Sequence, residues 1–181
     1  MNIEVEVRLL NVDKESIKAK LESLGAEFQW ERLQKRYVYD FHPALPHKWI
    51  RLRTNGVETT LTIKNVKTEE MDGTEELEIV VDDFDKTNLI LKELGYVPKA
   101  LQENKRCRYY LDGVEVDIDS WPLIPDYVEI EGKNKEEVRK IVNMLGFTDE
   151  NVTTKDVESI YSDYGIDLKE IAKLTLEEER K

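Results

Sequence analysis

The chain has 181 residues, 27 Lys and Arg against 39 Asp and Glu, a formal net charge of −12 and a hydrophobic fraction of 40%. That length can bury a full core, and its periodic apolar residues exclude a disordered chain, so one acidic globular domain is expected. The acidity argues against duplex nucleic acid as the main partner, the single Cys107 excludes a disulfide scaffold, and no apolar run is long enough to span a membrane.

In chain order, the opening MNIEVEVRLL puts charge at every second residue, which reads as a strand and not as a signal-peptide core. The protein is therefore expected in the cytoplasm. A first helix follows, with Asp13 as N-cap, Ile17, Leu21 and Leu24 at helical spacing, and Gly25 as its stop. Period two then predicts strands over Glu27–Phe41, Lys48–Thr54, Val57–Asn65 and Thr74–Asp82, with HPALP as a longer loop and Asn55-Gly56 as a hairpin turn. A second helix is capped by Asp85, turns Leu89, Ile90 and Leu94 inward and ends at Gly95. Strands over Asn104–Leu111, Val114–Asp119 and Tyr127–Gly132 come next, the first two joined by Asp112-Gly113. The third helix starts at Asn134 and carries Val138, Ile141, Val142 and Leu145 before Gly146. The unit of strand, helix and Leu-Gly thus recurs three times, ending at Gly25, Gly95 and Gly146.

Beyond Asp149, Val157, Ile160, Tyr161 and Tyr164 suggest a short helix, and Ile166, Leu168, Ile171 and Leu174 another. The acidic run Glu177–Glu179 reads as a solvated end. One domain over residues 1–181 is expected, with 149–181 a helical C-terminal extension.

The strands share one grammar, because residues i and i+2 face the same way. Glu4, Glu6 and Arg8 oppose Ile3, Val5 and Val7; Arg51 and Arg53 oppose Ile50 and Leu52; Thr62 and Lys64 oppose Leu61 and Ile63. Glu76 and Glu78, Arg106 and Arg108, Asp117 and Asp119, and Glu129 and Glu131 repeat the pattern. The bland reading is a sheet with a solvated face. The sharper one is a barrel, its interior charged and its exterior covered by helices. Buried charges cost several kcal/mol each unless paired, so a fold retaining so many would use them. Carboxylates suit a hard divalent cation, and guanidiniums suit phosphate oxygens. A polyphosphate with a divalent metal satisfies both. No P-loop or dinucleotide fingerprint occurs. Cys107 alternates with Arg106 and Arg108 and reads as an inert buried thiol; Trp30 and Trp49 read as packing residues, and His42 and His47 as loop residues.

The ordered set Glu4-Val5-Glu6-Val7-Arg8, Arg51-Leu52-Arg53, Leu61-Thr62-Ile63-Lys64, Glu76-Leu77-Glu78, Arg106-Cys107-Arg108, Asp119 and Val128-Glu129-Ile130-Glu131 resembles the CYTH superfamily of triphosphate tunnel metalloenzymes. The likeness spans roughly residues 1–146 and is nearest in layout to class IV adenylyl cyclases of the CyaB type. It implies an α+β fold built on an eight-stranded antiparallel tunnel that binds a triphosphate with Mg2+ or Mn2+. By that resemblance Glu4, Glu6, Asp119, Glu129 and Glu131 are the metal side, the first four of them catalytic. Arg8, Arg51, Arg53, Lys64, Arg106 and Arg108 are the triphosphate side. Glu76 and Glu78 match acidic positions of either structural or metal-binding role. Arg8 stands where the family typically has a lysine. The segment SWPLIPDY, with Trp121, replaces a glycine-containing turn.

The implied substrate is a nucleoside triphosphate or inorganic polyphosphate, with no nucleic acid or membrane involved; relatives include dimers, so a homodimer is one expected assembly. Three functions are expected from this tunnel. A cyclase would send the ribose 3′-oxygen onto the α-phosphorus of ATP and release pyrophosphate. A tripolyphosphatase or nucleoside or organic triphosphatase would send water onto the terminal phosphorus. A sensor would bind without turnover. Tyr37, Tyr39, Phe41 and Trp121 are candidates for a base pocket at the barrel mouth.

Overall fold

A computed structural model describes residues 1–176 of the chain, so the run Glu177–Glu179 lies outside the described residues. Strands β1 (Asn2–Leu9), β2 (Glu27–Leu45), β3 (Lys48–Thr54), β4 (Thr59–Val66), β5 (Thr74–Val81), β6 (Ala100–Leu111), β7 (Val114–Ser120) and β8 (Tyr127–Gly132) form a closed antiparallel barrel. Its circuit runs β1-β5-β4-β3-β2-β6-β7-β8 and back to β1. Closure leaves few free edges, and two short strands cover what remains. β9 (Val152–Thr153) pairs with β1 at Arg8 and Leu9, and β10 (Lys173–Leu174) runs parallel to the start of β6.

Alternation sends the apolar residues outward and the charged ones inward. Helices α1 (Lys14–Ser23) and α3 (Lys135–Leu145) cover the outer face of β1, β6, β7 and β8. Ile17 and Leu21 join Val138, Ile141, Val142 and Leu145 over Val7, Val116, Val128 and Ile130 in the largest buried cluster. Asp13 caps α1 by accepting from the Ser16 N–H at 2.8 Å, and Asn134 caps α3 from Glu137 at 2.9 Å. Gly146, at φ +95°, supplies the left-handed turn that ends α3.

Helix α2 (Phe84–Glu93) departs from the sequence reading in two ways. Its N-cap is Asp83, accepting from the Lys86 N–H at 2.8 Å, and Asp85 lies in the first turn. Its inward residue is Leu91, 7% exposed, whereas Leu89, Ile90 and Leu94 are 58%, 61% and 69% exposed. The cause is footprint. α2 docks on β3 beside Tyr37, Tyr39 and Phe84, and leaves the outer face of β5, with Leu77 and Ile79, uncovered. The barrel is therefore helix-covered on only part of its circumference.

All of HPALP but Pro46 is strand, not loop: β2 continues to Leu45 through a register shift between Asp40 and Leu45 that accommodates Pro43, and the turn falls at Pro46 and His47. β6 starts four residues earlier than the alternation indicated, at Ala100, because β2 is long enough to pair with it. In the tail, α4 (Val157–Asp163) forms as expected, but the second apolar set forms a 3-10 turn at Leu168–Glu170 and then β10. These segments pack with Trp121, Ile124 and Tyr127 in a second cluster at one end of the barrel. No helix among the described residues is long and apolar enough to cross a membrane.

Candidate active site

Every charged residue singled out by alternation lines the barrel interior or its mouths, drawn from β1, β3, β4, β5, β6, β7 and β8. The interior opens at two unlike ends. One is a cavity of about 800 Å3 whose walls mix charge with Val38, Trp49, Ala100 and Leu168. The other holds about 190 Å3 and is lined only by charged side chains, among them Glu4, Arg53, Glu78, Arg108 and Glu131. Arg51, Lys64, Arg106 and Glu129 line both, which places them in the middle of the tunnel.

Ion pairs connect the interior in two networks, one joined through Glu129 and the other through Glu76. Arg106 reaches Asp119 at 2.6 Å, Asp117 at 2.7 Å and Glu129 at 3.0 Å, while Arg108 holds Asp117 at 2.6 Å and Glu115 at 2.8 Å. Arg8 pairs with Glu129 at 2.6 Å and Glu6 at 3.0 Å, and donates to the Lys155 carbonyl at 3.0 Å. Lys64 bridges Glu4 at 2.7 Å and Glu76 at 3.1 Å. Glu76 and Glu78 are both ion-paired: Arg51 lies 3.6 Å from Glu76 and 3.4 Å from Glu78, and Thr62 donates to Glu78 at 2.6 Å.

Titration behaviour tracks this pairing. Burial raises a carboxylate, but Arg8 and Arg106 overcome it at Glu129 and hold that group well below the usual range. At Glu4 burial prevails over Lys64, and the group is raised. Glu131 is pushed up to about 8 by burial and by Glu129, Glu4, Glu6 and Glu115. No cation pairs with Glu131 among the described residues. A carboxylate crowded by carboxylates is what a hard divalent cation relieves, so the all-oxygen donor set of Glu4, Glu6, Glu129 and Glu131 fits one. Asp119 has the same donor chemistry and, like Glu4, Glu6 and Glu129, is held by a cation, here Arg106, and also by the Asn104 amide at 2.8 Å. No three of these acidic groups converge in ready coordination geometry among the described residues.

The alternating pairs do not single out Arg36. It stands on β2 between Gln34 and Val38, outside any Arg-x-Arg pair, yet it is buried and directly opposite Arg53 in the β2–β3 register. That register is the signal that finds it, and it becomes readable once the hairpin pairing is known. The aromatics Tyr37, Tyr39 and Phe41 alternate with Arg36 and Val38, so they face outward under α2, away from the mouth. Trp121 is at the wide end, packed edge-on to Tyr161 at 6.2 Å. Trp49 lines the wide cavity and Trp30 carries the guanidiniums of Arg32 and Arg108 at about 5 Å, so neither is purely a packing residue. His47 reaches the wide rim; His42 packs against Tyr96 at 5.6 Å. Cys107 is fully buried, and burial raises its thiol, as an inert core residue requires.

Comparison with known proteins agrees with this architecture. The family described as CYTH domain matches residues 2–158. A candidate adenylate cyclase of Methanocaldococcus jannaschii is 25% identical over 168 residues, 84% of this chain and 95% of that protein. A conserved hypothetical protein of Pyrococcus furiosus superposes with a TM-score of 0.74 at 26% identity, covering 85% of this chain and 97% of the other. A candidate adenylyl cyclase of Hippeastrum, described as having a dominant triphosphatase activity, shares the fold at 16% identity and a TM-score of 0.61, covering 94% of this chain and all of the other.

Proposed function

Since the chain belongs to the CYTH domain family, we propose that it is a divalent-metal-dependent enzyme acting on a triphosphate held in the barrel, and that it cyclises ATP to cyclic AMP and pyrophosphate. The observation that carries the cyclase reading is the inequality of the two ends. A nucleoside needs room and some apolar wall, which the 800 Å3 end offers and the small, wholly charged end does not. The likeness to the Methanocaldococcus jannaschii protein supports the same reading.

In this proposal Arg51, Lys64 and Arg106 hold the phosphate chain at mid-tunnel, where the ribose 3′-hydroxyl, arriving from the wide end, attacks the α-phosphorus in line, its proton passing to water in the wide cavity as the α–β phosphoanhydride bond breaks. Pyrophosphate charge develops toward Arg53 and Arg108, and fixed guanidiniums placed where charge appears lower the barrier. Glu4, Glu6, Asp119, Glu129 and Glu131 would hold Mg2+ or Mn2+, with Asp119 and Glu129 first released from their arginines by the incoming phosphates. A cation bound there supplies charge neutralisation and Lewis acidity at the phosphoryl oxygens. Arg8, tied to Glu6, Glu129 and the Lys155 carbonyl, orients the carboxylates. A second reading, attack by water on the terminal phosphorus, is favoured by the wholly charged small end, which gives a terminal phosphate cations and access to solvent. Homodimer formation belongs to the same proposal, since the outer face of β5 is apolar and uncovered.

Phosphorus NMR of the protein with ATP and with tripolyphosphate, each with Mg2+ and with Mn2+, decides between the readings. Cyclic AMP with pyrophosphate is expected. Glu6→Ala should lower turnover at least about a hundredfold, the scale reached by disturbing even the outer shell of a metal site. Orthophosphate from either substrate would replace the cyclase with the hydrolase, and binding without turnover would leave a sensor.

A further inference from the structure

The tunnel cations differ sharply in how far their charge is already met. Arg106 has three carboxylates, Arg8 and Arg108 two each, and Lys64 two. Arg36 has none among the described residues. It is 7% exposed, and its acceptors are the neutral amide oxygens of Asn104 and of Gln34, the latter at 3.2 Å. Its Nε–H, like those of Arg8 and Arg51, has no hydrogen-bond partner among the described residues. The guanidinium lies over the Trp121 ring at 4.5 Å, and in register it directly faces Arg53. Like charges directly opposite on neighbouring strands destabilise a sheet, and a buried unpaired charge costs several kcal/mol. Burial with Arg51, Arg53 and Arg106 pulls Arg36 down to about 9, in keeping with a cation crowded by cations. Asp119 offers only distant relief, through the Asn104 amide that bridges it to Arg36.

A structural role alone leaves this arrangement unexplained, because a neutral side chain over Trp121 would anchor the same indole without the charge. Position along the tunnel says what the charge is for. Arg36 lines the wide cavity only, Arg51, Lys64 and Arg106 line both ends, and Arg53 and Arg108 line the small end only. We propose that Arg36 is an anion-binding residue at the wide end of the tunnel, taking the phosphate next to the organic group of a nucleoside triphosphate. It rests on the triphosphate reading above and adds to it an orientation: organic group at the wide end, terminal phosphate at the small end. Asn104 and Gln34 hold one end of the fork and Trp121 fixes its plane, so the guanidinium is held in place at the cavity wall with donors left over for an oxyanion. An inorganic chain has no organic end to anchor and can sit on the mid-tunnel and small-end cations.

The test is isothermal titration calorimetry of wild type, Arg36→Gln and Arg36→Lys with ATP and with tripolyphosphate, with Mg2+ and with EDTA. Loss of a charge-assisted contact is expected to weaken ATP about tenfold or more in Arg36→Gln, tripolyphosphate several-fold less, with Arg36→Lys recovering part of the ATP affinity. Unchanged ATP affinity in Arg36→Gln, or equal losses for both ligands, overturns the proposal. Wild type binding neither ligand overturns the tunnel reading itself and this residue with it. If Arg36→Gln does not fold, the Arg36 Nε–H resonance of the wild-type protein, assigned through Arg36→Lys, carries the test: it should move on adding ATP, and a resonance that stays in place is a negative result.

Discussion

Glu131 shows how a single residue sets a condition on the whole site. Its carboxyl is pushed up to about 8 in the folded chain against an ordinary 4.5, so folding takes up a proton there. Its contribution to stability is therefore full below about pH 4.5 and is lost as pH climbs through about 8. Glutamine cannot ionise. Glu131→Gln should raise the unfolding midpoint by about 3 °C or more at pH about 9 with EDTA present, the shift that ~1 kcal/mol produces in a chain of this size, and should change it little at pH about 5. Calorimetry at the two pH values checks this, and equal midpoints at both would remove the strained carboxylate. Mg2+ or Mn2+ should stabilise wild type more than Glu131→Gln at the higher pH, because a cation that binds only the folded chain stabilises it by mass action. Glu131 was legible as an interior acid from its i, i+2 spacing with Glu129. That it would stand without a cation was not legible, because pairing depends on which strands are neighbours in the circuit.

At the scale of elements, the seam between β1 and β5 is the shortest in the barrel, with Asn2, Ile3 and Glu4 as its register positions. The turn between β4 and β5 closes the remaining gap, where the Glu6 N–H donates to the Met71 carbonyl at 3.0 Å. Gly73 makes that turn tight: its carbonyl accepts from the Lys67 N–H at 2.8 Å, and a Cβ placed on it would overlap the Thr68 carbonyl oxygen. Gly73→Ala should destabilise the protein by about 1–3 kcal/mol, the usual cost of overpacking, measured by urea unfolding; an unchanged midpoint would show slack in the turn. Most strands, the two-residue hairpin at Asp112-Gly113 and the caps at Asp13 and Asn134 were legible because each depends on neighbouring residues, whereas Asn55-Gly56 opens a four-residue connection and β4 starts at Thr59 instead of Val57. The docking of α2 was not. Leu89, Ile90 and Leu94 follow helical spacing as well as any core stripe, and only the width of the barrel wall beneath decides that Leu91 alone is buried. HPALP misled because a proline reads as a break unless a register shift is known to receive it.

The whole molecule is lopsided: β1, β7 and β8 lie under α1 and α3, while β5 presents Leu77 and Ile79 to the outside, 50% and 55% exposed. Replacing Leu77 and Ile79 together by Lys should cost the monomer only ~0.5 kcal/mol, as exposed positions do. Ile130→Lys, on the covered wall, should fail to fold. Denaturant unfolding at a dilution where the chain is monomeric compares them, and the homodimer proposed above predicts a larger loss for the first variant as protein concentration rises. Closure of the barrel also has a consequence in time. The carboxylates proposed to hold the cation come from both ends of the domain, Glu4 and Glu6 from its first strand and Glu129 and Glu131 from the eighth, and β1 meets β8 through Val5–Leu9. During synthesis the first strand leaves the ribosome with its main partner more than a hundred residues away, and contacts of such separation form late. On the proposed assignment a nascent chain lacks half of that carboxylate set until β8 is made, so cation binding is expected only once the last barrel strand has arrived.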